Sequence, residues 1–478
     1  MELYSKTAHE LHDMLVSKEI TSCEITQSVI ERINAVEDTI DSYLTLTLDG
    51  ALETATAVDA KIAAGGTISA LEGIPTGIKD NICTNGVLTT CASRMLEDFV
   101  PPYDAFVVER VKENNIPILG KLNMDEFGMG CSTEISYFKD TRNPHDPERV
   151  PGGGSAAAVA ASETIFALAS DTSDSIRQPA SYCGVVGLKP TYGLVSRFGL
   201  AAYASSFSQI GPITADVTDS ANVLNLIAGH DKNDTTSLNV KIPDYSKALV
   251  KDVKGLRIGV PQEFMDDSII DSDVRKSIED AIALYKSLGA SVEMFSFPLA
   301  KYALPTLYII ACAEASSNLA RYDGIRFGHR AEHYSDLTDM YKKSRSEGFG
   351  PEAQRRIMLG TYFLTTGHYE EYYEKAQKSR TLFRNAYDET FAKYDLILTP
   401  TTPETAFKFG DKPEGSSGIC CASASLAGLP AISIPCGAGN DGLPVGLQLI
   451  GNSLCEETIL RAAYTFEQEA KIKFEVKL

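Results

Sequence analysis

Residues 151–179 read PGGGSAAAVAASETIFALASDTSDSIRQP, and this stretch decides the fold class. A glycine loop opens an Ala-rich segment predicted helical over 155–162, with Ser155 placed to cap it. A short apolar run, Thr164–Ala169, follows and has the length and composition of a buried strand. Helix, buried strand and then a polar run of hydroxyls and carboxylates is the order expected of an α/β layer with a site at the strand end. Outward from it the same alternation recurs. Strands are predicted at 116–119, 255–260, 395–399, 431–435 and 446–450, with helices at 104–114, 273–288 and 367–393. The predicted fold class is therefore α/β, a sandwich with a largely parallel central sheet.

The N-terminal part differs. Residues 6–17 and 22–36 carry apolar residues at helical spacing, among them Ile25, Val29 and Ile33. Thr21 and Glu24 have the spacing of a capping box. A third helix over 50–64 should stop at Gly65-Gly66. Residues 1–66 thus read as an N-terminal helical layer. Residues 73–230, rich in Gly, Ala and Ser, read as the core of the fold. With no repeat or low-complexity linker, 1–478 reads as one domain.

The 478 residues are 44 % apolar and 23 % charged, as in ordinary globular proteins. The net charge of −20 excludes direct nucleic-acid binding as the first expectation, since phosphate would be repelled. Ten scattered cysteines without a Cys-x-x-Cys predict reduced, mostly buried thiols. No apolar run is long enough for a membrane span, and the N-terminus lacks a signal-peptide core, so a cytoplasmic location is expected. His9 and His12 are one residue too close for a zinc-protease helix, and no metal is expected. Walker A and Gly-x-Ser-x-Gly motifs are absent, and Ser136-x-x-Lys139 lacks the Lys-Thr-Gly that should accompany it.

Three segments carry candidate chemistry. In GIPTGIKDNI (73–82), Lys79 is the lone cation of an apolar, turn-rich stretch. Pointing inward, it would lose proton affinity and serve as a base; pointing outward, it would simply snorkel to water. The glycine loop at 151–154 could present N–H groups to an oxyanion or merely allow close packing. Ala169–Pro179 is either a site at a strand end or a polar surface loop, and within it Ser175 is the candidate nucleophile.

Taken with TTCAS, GKLNMDEFGMG, RNPHDPERVPGG, SIRQPASYCGVVGLKPTYGLVSRFGL, SQIGPIT, SRSEGFG, RRIMLGT and SLAGLPAISIPCG, these segments resemble the amidase signature family over nearly the whole chain. Within it the likeness is nearest to the A-type subunits of glutamyl-tRNA(Gln)/aspartyl-tRNA(Asn) amidotransferases. The resemblance implies an α/β fold with a mixed, mainly parallel central sheet between helical layers, and a mechanism with a Ser nucleophile, a bridging Ser beside a cis peptide bond and a Lys. Together these release ammonia from glutamine, and the ammonia converts Glu-tRNA(Gln) or Asp-tRNA(Asn) to the amide. It also implies two partners, a B-type tRNA-binding subunit and a small C-type one. No cofactor is expected on this chain; ATP and magnesium would belong to the partner.

On that resemblance, Lys79 matches the family lysine and Ser175 the nucleophile. One of Arg355 and Arg356 matches the arginine that holds the substrate carboxylate. The bridging serine has no counterpart. The family's Pro-Gly-Gly-Ser-Ser-Gly-Gly-Ser-Ala is here Pro151-Gly-Gly-Gly-Ser155-Ala, three residues shorter, leaving Ser155 as a weak substitute. Asp-Thr-Gly-Gly-Ser becomes Asp171-Thr172-Ser173-Asp174-Ser175, so the oxyanion turn of Thr172, Ser173 and Asp174 gains a negative charge. Ser208 stands for an Asp, and in Glu414-Gly-Ser-Ser-Gly418 a glycine takes the place of an Asp that binds the substrate amine. The expectation is a paralogue with impaired or lost glutaminase activity, in which Lys79 forms an ion pair with Asp174 or Asp171. The alternatives are a still-active amidotransferase with a rebuilt loop, and an amidase for a substrate without an amino group.

Overall fold

The computed structural model describes residues 2–411 and 417–476. Helix Ser22–Ile40 starts with the predicted box: Glu24 N–H donates to Thr21 Oγ1 at 3.1 Å and Thr21 N–H to Glu24 Oε2 at 2.8 Å. It outruns the expected end because Val36 and Ile40 continue the buried stripe, and it stops at Asp41 in the left-handed region. The first helix, Ala8–Val16, is pinned to the core by Asp219, whose carboxylate accepts from the N–H groups of Ala8 and His9 and lies 2.9 Å from His9 Nδ1.

The strands are β1 (Tyr43–Leu46), β2 (Thr76–Lys79), β3 (Ile118–Leu122), β4 (Phe166–Asp171), β5 (Val186–Lys189), β6 (Gln209–Thr214), β7 (Arg257–Pro261), β8 (Ser291–Phe295), β9 (Leu396–Pro400), β10 (Ala431–Ala438) and β11 (Pro444–Gly451). They form one sheet in the order β1-β3-β2-β4-β6-β5-β10-β11-β9-β7-β8. Every residue of β4, β5 and β6 is buried, as expected of strands covered by helices on both faces. The mixed α/β class holds. The expected parallel majority does not: β3–β2, β2–β4, β9–β7 and β7–β8 are parallel, while the six other pairings are antiparallel. The β10–β11 hairpin closes through a short turn at 439–443, and β6 lies antiparallel between β4 and β5, so parallel pairing is confined to two wings.

The Ala-rich helix Gly154–Ala160 buries Ala156, Ala157 and Ala158 completely. A Cβ at Gly154 would lie 2.6 Å from Asn123 O and 3.0 Å from Ser42 O, so glycine is required there by contact. Residues 367–393 are not one regular helix: a π-helical turn, Tyr369–Glu374, leads into Lys375–Phe391. None of the ten cysteines forms a disulfide among the described residues, and seven are buried. Among the described residues no helix is long and apolar enough to cross a membrane.

Candidate active site

β2 and β4 run parallel with Ile78 opposite Leu168, so their C-terminal ends lie side by side. That register brings Lys79, the last residue of β2, against the turn that follows β4. The Lys79 amine is buried and donates to Ser170 O at 3.0 Å. Burial lowers its pKa from 10.5 to about 8, against the raising effect of the more distant Asp171, Asp125 and Asp174 charges. It forms no ion pair with any described carboxylate, which corrects the expected Lys79–Asp174 or Lys79–Asp171 pair.

Asp171 is not available for such a pair because Arg177 holds it. The buried guanidinium donates to Asp171 at 3.0 and 3.1 Å, to Gln448 Oε1 at 2.6 Å, to Ser425 Oγ at 2.9 Å and to the carbonyls of Ser173 and Cys421. Burial alone would raise the Asp171 pKa; Arg177 outweighs it and holds the carboxyl below its usual range. This hub fixes the turn at 172–175 to the C-terminal part of the sheet. Sequence reasoning gave neither Asp171 nor Arg177 this role. Their spacing across one tight turn was the available signal.

The turn itself needs no left-handed residue, since neither Ser173 nor Asp174 has a positive φ. The N–H groups of Ser173, Asp174 and Ser175 donate to no described acceptor. Thr172 Oγ1 lies 2.8 Å from Ser208 Oγ. The Asp174 carboxylate is buried and accepts no hydrogen bond from a described donor. Burial, then the neighbouring Asp171 charge, raise its pKa to about 7, with Arg177, Arg356 and Lys79 opposing.

Ser155 does not cap its helix; Gly153 occupies the N-cap and Ser155 lies within the first turn. Its buried hydroxyl has no hydrogen-bond partner among the described residues. Lys79, Ser155 and Ser175 nevertheless line one small cavity of about 10 Å³, and no cis peptide bond occurs among the described residues. Ser175 also lines a second cavity of about 1210 Å³, shared with Thr172, Ser173, Asp174, Arg355 and Arg356. Both arginines donate to Glu352, at 2.6–2.7 Å, and stack against Tyr308. Arg356 is the deeper, its side chain 15 % exposed against 50 % for Arg355. Their helix, Pro351–Leu364, begins at Gly350, whose N–H donates to the Glu126 carboxylate at 2.9 and 3.1 Å. Glu126 also accepts from Ser93 Oγ at 2.5 Å. Sequence reasoning missed it, although it lies within the family-like stretch GKLNMDEFGMG.

Two positions that the resemblance marks as departures, 174 and 418, meet here. A Cβ at Gly418 would lie 2.6 Å from Asp174 Oδ2 and 3.1 Å from Ser173 Oγ. Glycine at 418 is what leaves room for the carboxylate at 174. The residues just before it, Glu414–Ser416, lie outside the described residues.

The model of the Amidase family matches residues 24–460. The chain belongs to the amidase signature family. It is 56 % identical to the A-type subunit of glutamyl-tRNA(Gln) amidotransferase from Heliobacterium modesticaldum, over 98 % of this chain and 97 % of that one. The same protein of Moorella thermoacetica is also 56 % identical, with 98 % of each chain covered. Among solved structures, the corresponding glutamyl-tRNA(Gln) amidotransferase chain of Thermotoga maritima superposes with a TM-score of 0.83 at 39 % identity, covering 100 % of this chain and 99 % of the other. The native peptide amidase of Stenotrophomonas maltophilia gives 0.85 at 28 % identity, covering 99 % and 98 %. The family framework spans the chain, and within it Lys79 and Ser175 line one small cavity.

Proposed function

We propose that the chain is the A-type subunit of a tRNA-dependent amidotransferase in which glutamine hydrolysis is weakened. Its relatives are named as one subunit of an amidotransferase, which supports assembly with others. We assign tRNA binding, ATP and magnesium to a B-type partner, with a small C-type subunit completing the complex. The net charge of −20 favours leaving tRNA to the partner.

The observation that carries the weakened activity is the missing link between base and nucleophile. The Lys79 amine donates to Ser170 O, and the Ser155 hydroxyl has no partner among the described residues. For Ser175 Oγ to attack a carboxamide carbon, its proton must leave, and that proton or another must reach the departing ammonia. No described side chain now carries it between Ser175 and Lys79. A positioned proton-transfer group contributes on the order of 10²–10⁴ in rate. Ammonia release from glutamine by the chain with its B-type partner is therefore expected to fall by about that factor below a full-loop relative. Comparable turnover that disappears in Ser175→Ala overturns this reading.

One observation favours the alternative, an active site with a rebuilt loop. The cavity bounded by Lys79, Ser155 and Ser175 measures about 10 Å³, close to the lower limit for one water molecule. With the Lys79 pKa near 8, a neutral amine is accessible just above neutrality. A water there could relay the proton, and the same ammonia assay decides between the two.

A further inference from the structure

We propose that Asp174 is the docking group for the ammonium of an amino-acid amide, and so sets the substrate specificity of this chain. The inference rests on the amidase reading of the pocket and adds a role for a residue that the family pattern does not provide.

Among the described residues four carboxylates line the large cavity, and three are occupied. Glu126 accepts from Ser93 and Gly350, Glu134 from the Gly410 N–H, and Glu352 from both arginines. Asp174 is 6 % exposed, and its carboxylate receives no hydrogen bond from any described residue. A buried carboxylate without a donor is unfavourable unless something brought into the cavity supplies one. Its position is specific: it precedes Ser175 in the chain, and Gly418 leaves the space its Oδ2 fills. Of the three cations that oppose its charge, two are committed elsewhere and the third, Arg356, shares Glu352 with Arg355. Arg177 is engaged by Asp171, Gln448 and Ser425, and Lys79 is turned to Ser170 O.

The same cavity carries the opposite charge on the helix Pro351–Leu364. Arg355 and Arg356 share one carboxylate, Glu352, and so leave a surplus of one positive charge. A cavity with an unpaired carboxylate beside the nucleophile and a surplus guanidinium on another wall is complementary to a zwitterion. Of the ligands that also bring a carboxamide to Ser175, an α-amino-acid amide such as glutamine satisfies both charges.

The test is calorimetric titration of the full chain with L-glutamine and with glutaramate, which is the same molecule without the amino group. A hydrogen bond to a charged group corresponds to a preference of roughly 10- to 100-fold for L-glutamine. Asp174→Asn keeps the size of the side chain and should abolish the preference while leaving glutaramate affinity within about threefold, as removal of one charged contact predicts. Gly418→Ala, which crowds Asp174 Oδ2, should reduce the preference in the same direction. Equal affinity for the two ligands in the parent overturns the proposal. So does an undiminished preference in a folded Asp174→Asn variant, and so does the absence of saturable L-glutamine binding. Ammonia release is read separately, so weak or normal hydrolysis leaves this outcome independent of the proposed function.

Discussion

Lys79→Met separates an unpaired buried lysine from the ion-paired one that the sequence suggests. In the folded chain the amine has a pKa of about 8, against an ordinary 10.5. At about 1.36 kcal/mol for each step of one, that difference is a penalty of roughly 3 kcal/mol for holding the charge inside. The folded amine releases its proton before the unfolded one, so the penalty is complete below about pH 8 and fades as pH rises to 10.5. Methionine removes the charge and fills similar space, but forfeits the bond to Ser170 O, worth about 1 kcal/mol. The net expectation at pH 7 is a variant about 2 kcal/mol more stable than the parent. With an unfolding entropy of about 2.1 cal/mol/K per residue over 478 residues, that is a melting temperature about 2 °C higher. By pH 10.5 the advantage should be gone. Scanning calorimetry of variant and parent at pH 7, 9 and 10.5 cancels the titrations they share. A variant less stable by about 3–5 kcal/mol at pH 7, the cost of breaking a buried pair, would refute the reasoning.

Arg177→Met should behave in the opposite way. It strands the buried Asp171 carboxylate, and a loss of about 3–5 kcal/mol is expected in chemical denaturation, largest above the Asp171 pKa. Gly154→Ala forces a methyl against the Asn123 and Ser42 backbones and should lower stability by about 1–3 kcal/mol in the same measurement.

The parts of the fold that sequence made legible are those governed by neighbours in the chain. The Thr21–Glu24 box and the left-handed Gly65 follow from local backbone rules, and both are in place. Sheet direction depends on partners far away, and the antiparallel placement of β6 has no local signature. Lys79 shows the same limit at the site. Lys121 and Lys189 also lie in apolar, glycine-containing stretches and are equally buried, yet they donate to Ile82 O and Leu429 O within the core. Only the register of β2 against β4 distinguishes the lysine that faces the small cavity with Ser175. Ser155 misled because a serine after glycines reads as a cap, whereas the contact of Gly154 with Asn123 moves the helix start to an earlier position.

The departures around the pocket also change meaning once their positions are known. In sequence, Asp174 and Gly418 are two separate losses from the family pattern, and each adds to a case for decay. In space, one is the condition for the other, because any side chain at 418 would meet the Asp174 carboxylate. Random loss has no reason to remove the side chain at the point where a new one must fit. The intact Asp171–Arg177 hub beneath the turn and the Glu126 carboxylate at the start of the arginine helix argue the same way. Ser175 lines the large cavity on this framework, and on the proposed reading the change concerns how a proton leaves that serine and which charge faces the ligand. A chain that had only lost function would have no use for a carboxylate buried beside its nucleophile with room made for it.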